Sequence, residues 1–250
     1  CDQVTRGGGV IAAPLPGPAS SPALVIGIGG ISEVMRGREA ELAGMLTGLP
    51  VVLTLHNIFK ASRLQSLVLK QLCRRVHLIA VSDAILASAG VLGGLSVQRI
   101  YNGVTVRDEV VSKGDARKAL GLDPSASIVL SVARLAPEKG LTLLAAAAND
   151  IPASVFIVGD GPERQNLSKY NALQLVGHVS DPWLWYCAAD VVAVPSRTEG
   201  LGLSAIEALS AGCPVVATDV GGLTEVITND GLGTCVPAGD VTALASAINH

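Results

Sequence analysis

The chain has 250 residues, 49% of them hydrophobic, 16% charged and only 3% aromatic, with a formal net charge of -3. This supply of apolar side chains excludes intrinsic disorder, and a slight acidic excess with no long Lys/Arg block excludes a dedicated nucleic-acid surface. No apolar run reaches the ~18 residues of a membrane span and no charged-then-apolar leader opens the chain, so a cytoplasmic protein is expected.

In chain order, residues 1–22 hold RGGGV and PLPGPASSP and are too rich in Gly and Pro for more than one short strand. From Ala23 onward short apolar runs alternate with helix-period segments, the signature of βαβ units on a parallel sheet. The runs at 23–28, 51–55, 78–81 and 97–101 read as strands, with helices over 32–46, 60–76 and 83–89. The segment 60–76 (KASRLQSLVLKQLCRRV) sets basic residues beside an apolar stripe. A helix packed on a sheet with a solvated basic face is the first reading, and peripheral contact with the inner face of the cytoplasmic membrane is the second. Residues 106–127 are polar, carry Gly114, Gly121 and Pro124 and only a short helical piece at 116–120, and so read as a linker between domains 1–105 and 128–250. Further strands are expected at 128–132, 154–158, 173–176, 191–194, 215–218 and 234–236. Helices are expected at 140–149, 162–170, 182–189, 203–211 and 223–228, and from Val241 onward. The fold class is therefore α/β, two Rossmann-like parallel-sheet domains facing a cleft, with ligands at the carboxyl ends of strands. Cys1, Cys73, Cys187, Cys213 and Cys235 form no CxxC pair and read as reduced thiols.

The strand ends hold the chemistry. PSRTEGLGLSAIEALSAG follows the run DVVAV as strand, loop and helix. Gly200 and Gly202 let backbone approach a ligand, and the helix opening at Leu203 offers free N–H groups to a phosphate. Glu207 lies early on that helix, with Ile206 and Leu209 expected toward the core, leaving its carboxylate to accept from vicinal hydroxyls such as those of a ribose. The alternative is that Glu199 only complements the helix dipole and Glu207 is an ordinary exposed residue. ARLAPEKG, after the run IVLSV, presents Arg134 and Lys139 in a loop. Two such cations suit a diphosphate leaving group, the alternative being a solvated loop. VGDGPE is a tight turn first and a binding loop second. VVLTLHN ends a strand on His56, either a structural histidine or one facing the cleft. AVSD and RIYNGV end strands in the same way, with Asn102-Gly103 as a turn.

Taken in order, TLHN, NGV, ARLAPEKG, VGDGP and the Glu-x7-Glu segment from Glu199 to Glu207 make the chain resemble, from Ala23 to His250, the family 4 retaining glycosyltransferases of GT-B fold, also called group 1 glycosyltransferases. The resemblance implies that Arg134 and Lys139 hold the diphosphate of a nucleotide-sugar donor (UDP, GDP or ADP), that Glu199 meets the donor sugar and that Glu207 holds the ribose. It implies that the backbone of Gly200, Leu201, Gly202 and Leu203 touches sugar and phosphate. The base would lie near residues 176–179 (VGHV), Gly177 included, and His56 would reach the donor sugar from the N-terminal domain. Glu199, His56, Arg134 and Lys139 are thus the catalytic candidates. The reaction it implies is transfer to an acceptor hydroxyl with retention, in which the leaving phosphate helps take the acceptor proton and no protein nucleophile is needed. The acceptor would be a glycan, lipid or small molecule in cell-envelope or polysaccharide synthesis. Relative to the family, the opening βα unit and the closing helices have no counterpart, so a chain truncated at both ends is expected.

No two Asp residues stand two apart and no His/Cys cluster occurs, so neither a catalytic metal nor a resident cofactor is expected. The segment VIGIGGIS puts Ser32 where a dinucleotide fingerprint needs its third Gly. A non-catalytic nucleotide-sugar-binding relative and a GT-B-fold sugar-nucleotide epimerase are the alternatives; a glycan phosphorylase would carry a pyridoxal-linked Lys and far more chain.

Overall fold

The computed structural model describes residues 10–14, 22–28, 51–58, 76–92, 96–107, 111–229 and 231–250. The helix expected at 32–46 and all but the last residue of the one expected at 60–76 lie outside them, as do Cys1, Cys73 and Ser32. The chain divides into two compact units, Cys1–Asn102 and Gly103–His250.

In the first unit the described strands β1 (Val10–Pro14), β2 (Pro22–Ile28), β3 (Val51–Leu55), β4 (Val76–Ala80) and β5 (Val97–Arg99) lie in that order, β1 antiparallel to β2 and the rest parallel. Leu53 and Leu55, and likewise Leu78 and Ala80, alternate with less buried neighbours, the period of a pleated strand. Helix α1 (Asp83–Ser88) starts where the Ser82 hydroxyl accepts from the Ile85 N–H at 3.1 Å. Asn102-Gly103, expected as a turn, is irregular chain, and the boundary between the units falls there.

In the second unit the strands β6 (Ile128–Val132), β7 (Ser154–Val158), β8 (Leu173–Gly177), β9 (Val191–Val194), β10 (Val215–Thr218) and β11 (Gly233–Val236) are all parallel, in the order β11-β10-β9-β6-β7-β8. The helices are α2 (Lys113–Ala119), α3 (Leu141–Ala147), α4 (Arg164–Leu167), α5 (Trp183–Ala188), α6 (Leu203–Ser210), α7 (Leu223–Val226) and α8 (Val241–Ile248). The near-continuous apolar runs of the strands are explained by burial on both faces. Val129, Val155, Ile157, Ala193 and Val216 join Leu141, Leu144 and Leu244 of α3 and α8 in one core. The alternate positions Ile128, Leu130, Phe156, Val192, Val194 and Val215 join Trp185, Tyr186, Ala205 and Ala208 of α5 and α6 in the other. The sheet is doubly wound. Strand order reverses between β6 and β9, so the loops leaving their carboxyl ends flank the crevice where such sheets bind ligands.

The stretch expected as a linker, 106–127, lies within the second unit, and its described residues pack there. Ser112 caps α2 by accepting from the Asp115 N–H at 3.1 Å. Arg117 of that helix is only 7% exposed in its side chain and donates to the Ala188 carbonyl (3.0 Å), the Pro124 carbonyl (2.8 Å) and the Asp190 carboxylate (2.8 Å). Asp190 also accepts from Lys113 at 2.7 Å and from the Ile128 N–H at 2.8 Å. A guanidinium buried this way needs its donors satisfied and its charge balanced, and this node anchors the stretch to the sheet. Helix α4 is shorter than the expected 162–170, and within the opening Gly/Pro-rich segment the structure describes β1 and Pro22, the first residue of β2.

Candidate active site

Residues 133–140 leave β6 and turn through a short 3-10 segment at Pro137–Lys139, closed by Gly140 at φ +61°. A Cβ at Gly140 would stand 2.0 Å from the Pro195 carbonyl oxygen, so the loop after β9 passes directly over a position that only glycine fits. The Arg197 N–H donates to the Glu138 carbonyl at 2.8 Å and laces the same two loops.

Across this seam, the Lys139 Nζ donates to both oxygens of Glu199, at 3.0 and 2.8 Å. The Ser196 hydroxyl donates to Glu199 Oε2 at 2.9 Å, and the buried Thr218 hydroxyl donates to the Ser196 carbonyl at 2.5 Å, holding that turn. The Lys139 and Glu199 side chains are 26% and 11% exposed, so the pair is shielded enough for its charges to be felt by a ligand and open enough for one to reach it. Lys139 and Glu199 are thus paired with each other across the two loops.

Three residues on, Gly202 at φ +90° turns the chain into α6 with no side-chain cap. The N–H groups of Leu203 and Ser204 find no acceptor among the described residues, which leaves them to an anion. Gly200 and Leu201 are buried and Leu203 is exposed. The core-facing positions of α6 are Ala205 and Ala208, not Ile206 and Leu209, which are only partly buried: methyl side chains let the helix lie close to the sheet. Glu207 is half-buried, and its Oε2 accepts from the Tyr186 hydroxyl of α5 at 2.8 Å. Burial first, and then the Glu207 carboxylate, push the ionisation of Tyr186 far above its ordinary value.

The other expected residues have partners of their own. Arg134 leaves β6 with its side chain 66% exposed and pairs with Glu138, four residues along, not with Glu199. Gly177 ends β8, two strands from β6, and its carbonyl accepts from the Gly159 N–H at 2.8 Å; no hydrogen bond among the described residues ties it to Lys139, Glu199 or Glu207. His56 belongs to the first unit, just past β3. Burial lowers its pKa, and Asn102 Nδ2 lies 3.4 Å from its Nδ1. Sequence reasoning missed Tyr186, Ser196, Thr218 and Glu138. Ser196, three residues before Glu199, carried a signal as a side chain able to reach back to it; Tyr186 carried none, since nothing in WLWYC marks its hydroxyl.

A doubly wound parallel sheet with helices on both faces defines an α/β protein of the Rossmann-like class. The chain belongs to the family of glycosyl transferases group 1, which matches residues 112–250, and its fold class is that of the GT-B glycosyltransferases. It is similar to D-inositol 3-phosphate glycosyltransferase of Mycobacterium marinum, 35% identical over 159 residues, which cover 56% of this chain and 34% of the relative. The Mycobacterium tuberculosis protein of the same name is 35% identical over 160 residues. The match thus spans about a third of these curated relatives' length. Among solved structures it resembles Anabaena Alr3699/HepE in complex with UDP and glucose (TM-score 0.75, 27% identity, 88% of this chain and 65% of that one). It also resembles sucrose-phosphate synthase of Thermosynechococcus elongatus (TM-score 0.74, 26% identity, 90% and 63%). No helix among the described residues is long and apolar enough to cross a membrane.

Proposed function

We propose that the protein transfers a sugar from a nucleotide diphosphate sugar, UDP-linked in the first instance, to an acceptor hydroxyl of a glycan, lipid or small molecule, with retention at the anomeric carbon and without a catalytic metal. The carrying observation is the Lys139–Glu199 fork beside the uncapped start of α6, at the point where strand order reverses. The choice of UDP is supported by the Anabaena protein's complexes with UDP and with UDP-glucose.

In this reading the diphosphate lies over the N–H groups of Leu203 and Ser204, and Lys139 and Arg134 turn from their carboxylate partners toward the phosphates. Charge grows on the leaving phosphate as the glycosidic bond breaks, so two cations aimed there stabilise the transition state more than the ground state. Glu199, released in part from Lys139 and still held by Ser196, accepts from the donor sugar's hydroxyls. Glu207 takes the ribose, Gly177 lies by the base, and His56, neutral at working pH, donates to or accepts from the sugar. The acceptor proton passes to the leaving phosphate. The protein works in the cytoplasm, where nucleotide sugars are made.

The test is calorimetric titration of UDP, GDP and ADP, without added metal, into the wild type and the Arg134→Ala/Lys139→Ala variant. One nucleotide binds selectively, and the double variant binds it about 100-fold more weakly, from two lost contacts to a charged group. Equal binding by both proteins would sink the diphosphate assignment.

A further inference from the structure

The buried phenol of Tyr186 is spent on a single partner. Tyr186 is 1% exposed, its ring lies in the apolar core between α5 and the sheet, and its hydroxyl donates to Glu207 Oε2 at 2.8 Å across to α6. Among the described residues Glu207 Oε1 has no hydrogen-bond partner. A carboxylate's terminal torsion is broad and roughly two-fold, so without a fixed donor the Glu207 head would rotate between orientations. A phenol locked by close packing removes that freedom and makes one oxygen the anchor and the other the free acceptor. Because burial and the Glu207 carboxylate push its ionisation far above the ordinary value, the phenol stays protonated and remains a donor throughout the working pH range.

We infer that Tyr186 is a positioning residue for donor recognition: by holding Glu207 Oε2 it presents Oε1 to the vicinal hydroxyls of the nucleotide's ribose. This rests on the nucleotide-sugar reading above, and in particular on Glu207 as the ribose ligand. A purely structural role, a staple between α5 and α6, predicts something different: loss of the hydroxyl would change stability and affect all nucleotides alike.

The experiment compares UDP with 2′,3′-dideoxy-UDP, titrated into wild type, Tyr186→Phe, Glu207→Gln and the double variant. Tyr186→Phe removes only the hydroxyl, leaving the ring in its core. It weakens UDP by about fivefold to tenfold, part of a hydrogen bond to a charged group, and leaves dideoxy-UDP unchanged. In the Glu207→Gln background the same substitution has a smaller effect on UDP, because the two act as one unit. A Tyr186→Phe protein that keeps the full preference for UDP over dideoxy-UDP, or that loses both ligands in equal measure, overturns the inference alone, provided Glu207→Gln lowers that preference. If Glu207→Gln leaves the preference intact, or wild type shows none, the ribose assignment falls and the inference with it. Should Tyr186→Phe fail to fold, 3-fluorotyrosine at position 186 alters the donor strength with little change in shape. UDP affinity must then shift while dideoxy-UDP affinity stays, and a null result refutes the positioning role.

Discussion

Gly140→Ala tests the seam between the two site loops. An added Cβ would stand 2.0 Å from the Pro195 carbonyl oxygen, so the backbones must part by about 1 Å to reach even a tight contact. Two costs follow. An alanine at φ +61° bears about 1–2 kcal/mol of left-handed strain, and parting the loops stretches the Arg197 N–H to Glu138 carbonyl bond, worth about 1 kcal/mol. A loss of about 2–3 kcal/mol lowers the midpoint of thermal unfolding of the second unit by roughly 5–10 °C. Lys139 and Ser196 adjoin the displaced residues, so on the proposed reading UDP affinity falls as well. Gly212→Ala is the control: Gly212 has a similar φ of +73°, but an added Cβ there meets nothing within 4 Å, so it bears the strain without the clash. Calorimetric unfolding and UDP titration of both variants decide the matter. If Gly140→Ala is no less stable than Gly212→Ala and binds UDP as well as wild type, the loops do not constrain each other as described.

Asp190→Asn keeps the shape of the node around Arg117 but removes its countercharge, and denaturant unfolding shows a loss of about 2–3 kcal/mol. Burial raises the Asp190 pKa, but the Lys113 hydrogen bond, the Ile128 N–H and the charges of Lys113 and Arg117 outweigh it, and the net shift is downward from 3.8. Its stabilisation is therefore present above pH 3.8 and is lost as pH falls through the lower native value, and Asp190→Asn flattens that acid limb. His56 behaves in the opposite chemical sense with the same slope: burial disfavours its cation, so the native pKa lies below 6.5 and the unfolded chain takes the proton first. Stability is complete above pH 6.5 and declines as pH falls toward the native value. The His56 ring protons, followed by NMR, titrate with a midpoint below 6.5; a midpoint at or above it refutes the burial argument.

The strands were legible because a parallel strand covered on both faces must be apolar throughout, and runs such as IVLSV and VVAT have few other uses. The strand-end rule then pointed to the loops that hold Lys139 and Glu199, though not to their direct pairing, which bridges 60 residues and exists only because β6 lies beside β9. The stretch 106–127 reads as a linker because it is polar and broken by Gly114, Gly121 and Pro124, whereas the groups that satisfy the Arg117 guanidinium of α2 include Ala188 and Asp190, some 70 positions away. On α6 the pattern favoured the bulky Ile206 and Leu209 as core residues, whereas close packing on the sheet selects Ala205 and Ala208. The Tyr186–Glu207 bond depends on how two helices settle against each other, which no local spacing encodes.

The adjacency of β6 and β9 also bears on how the protein comes into being. Lys139 leaves the ribosome 60 residues ahead of Glu199, an interval of roughly 3–12 seconds of synthesis. In that interval β7 emerges to pair with β6 and β8 emerges to pair with β7, while β9, the neighbour that carries the Glu199 loop, comes last. On the nucleotide-sugar reading, a nucleotide stabilises the finished unit by mass action, because only then are both loops of its site in place. On that reading, ligand added after synthesis is expected to restore stability to substitutions that weaken the completed unit.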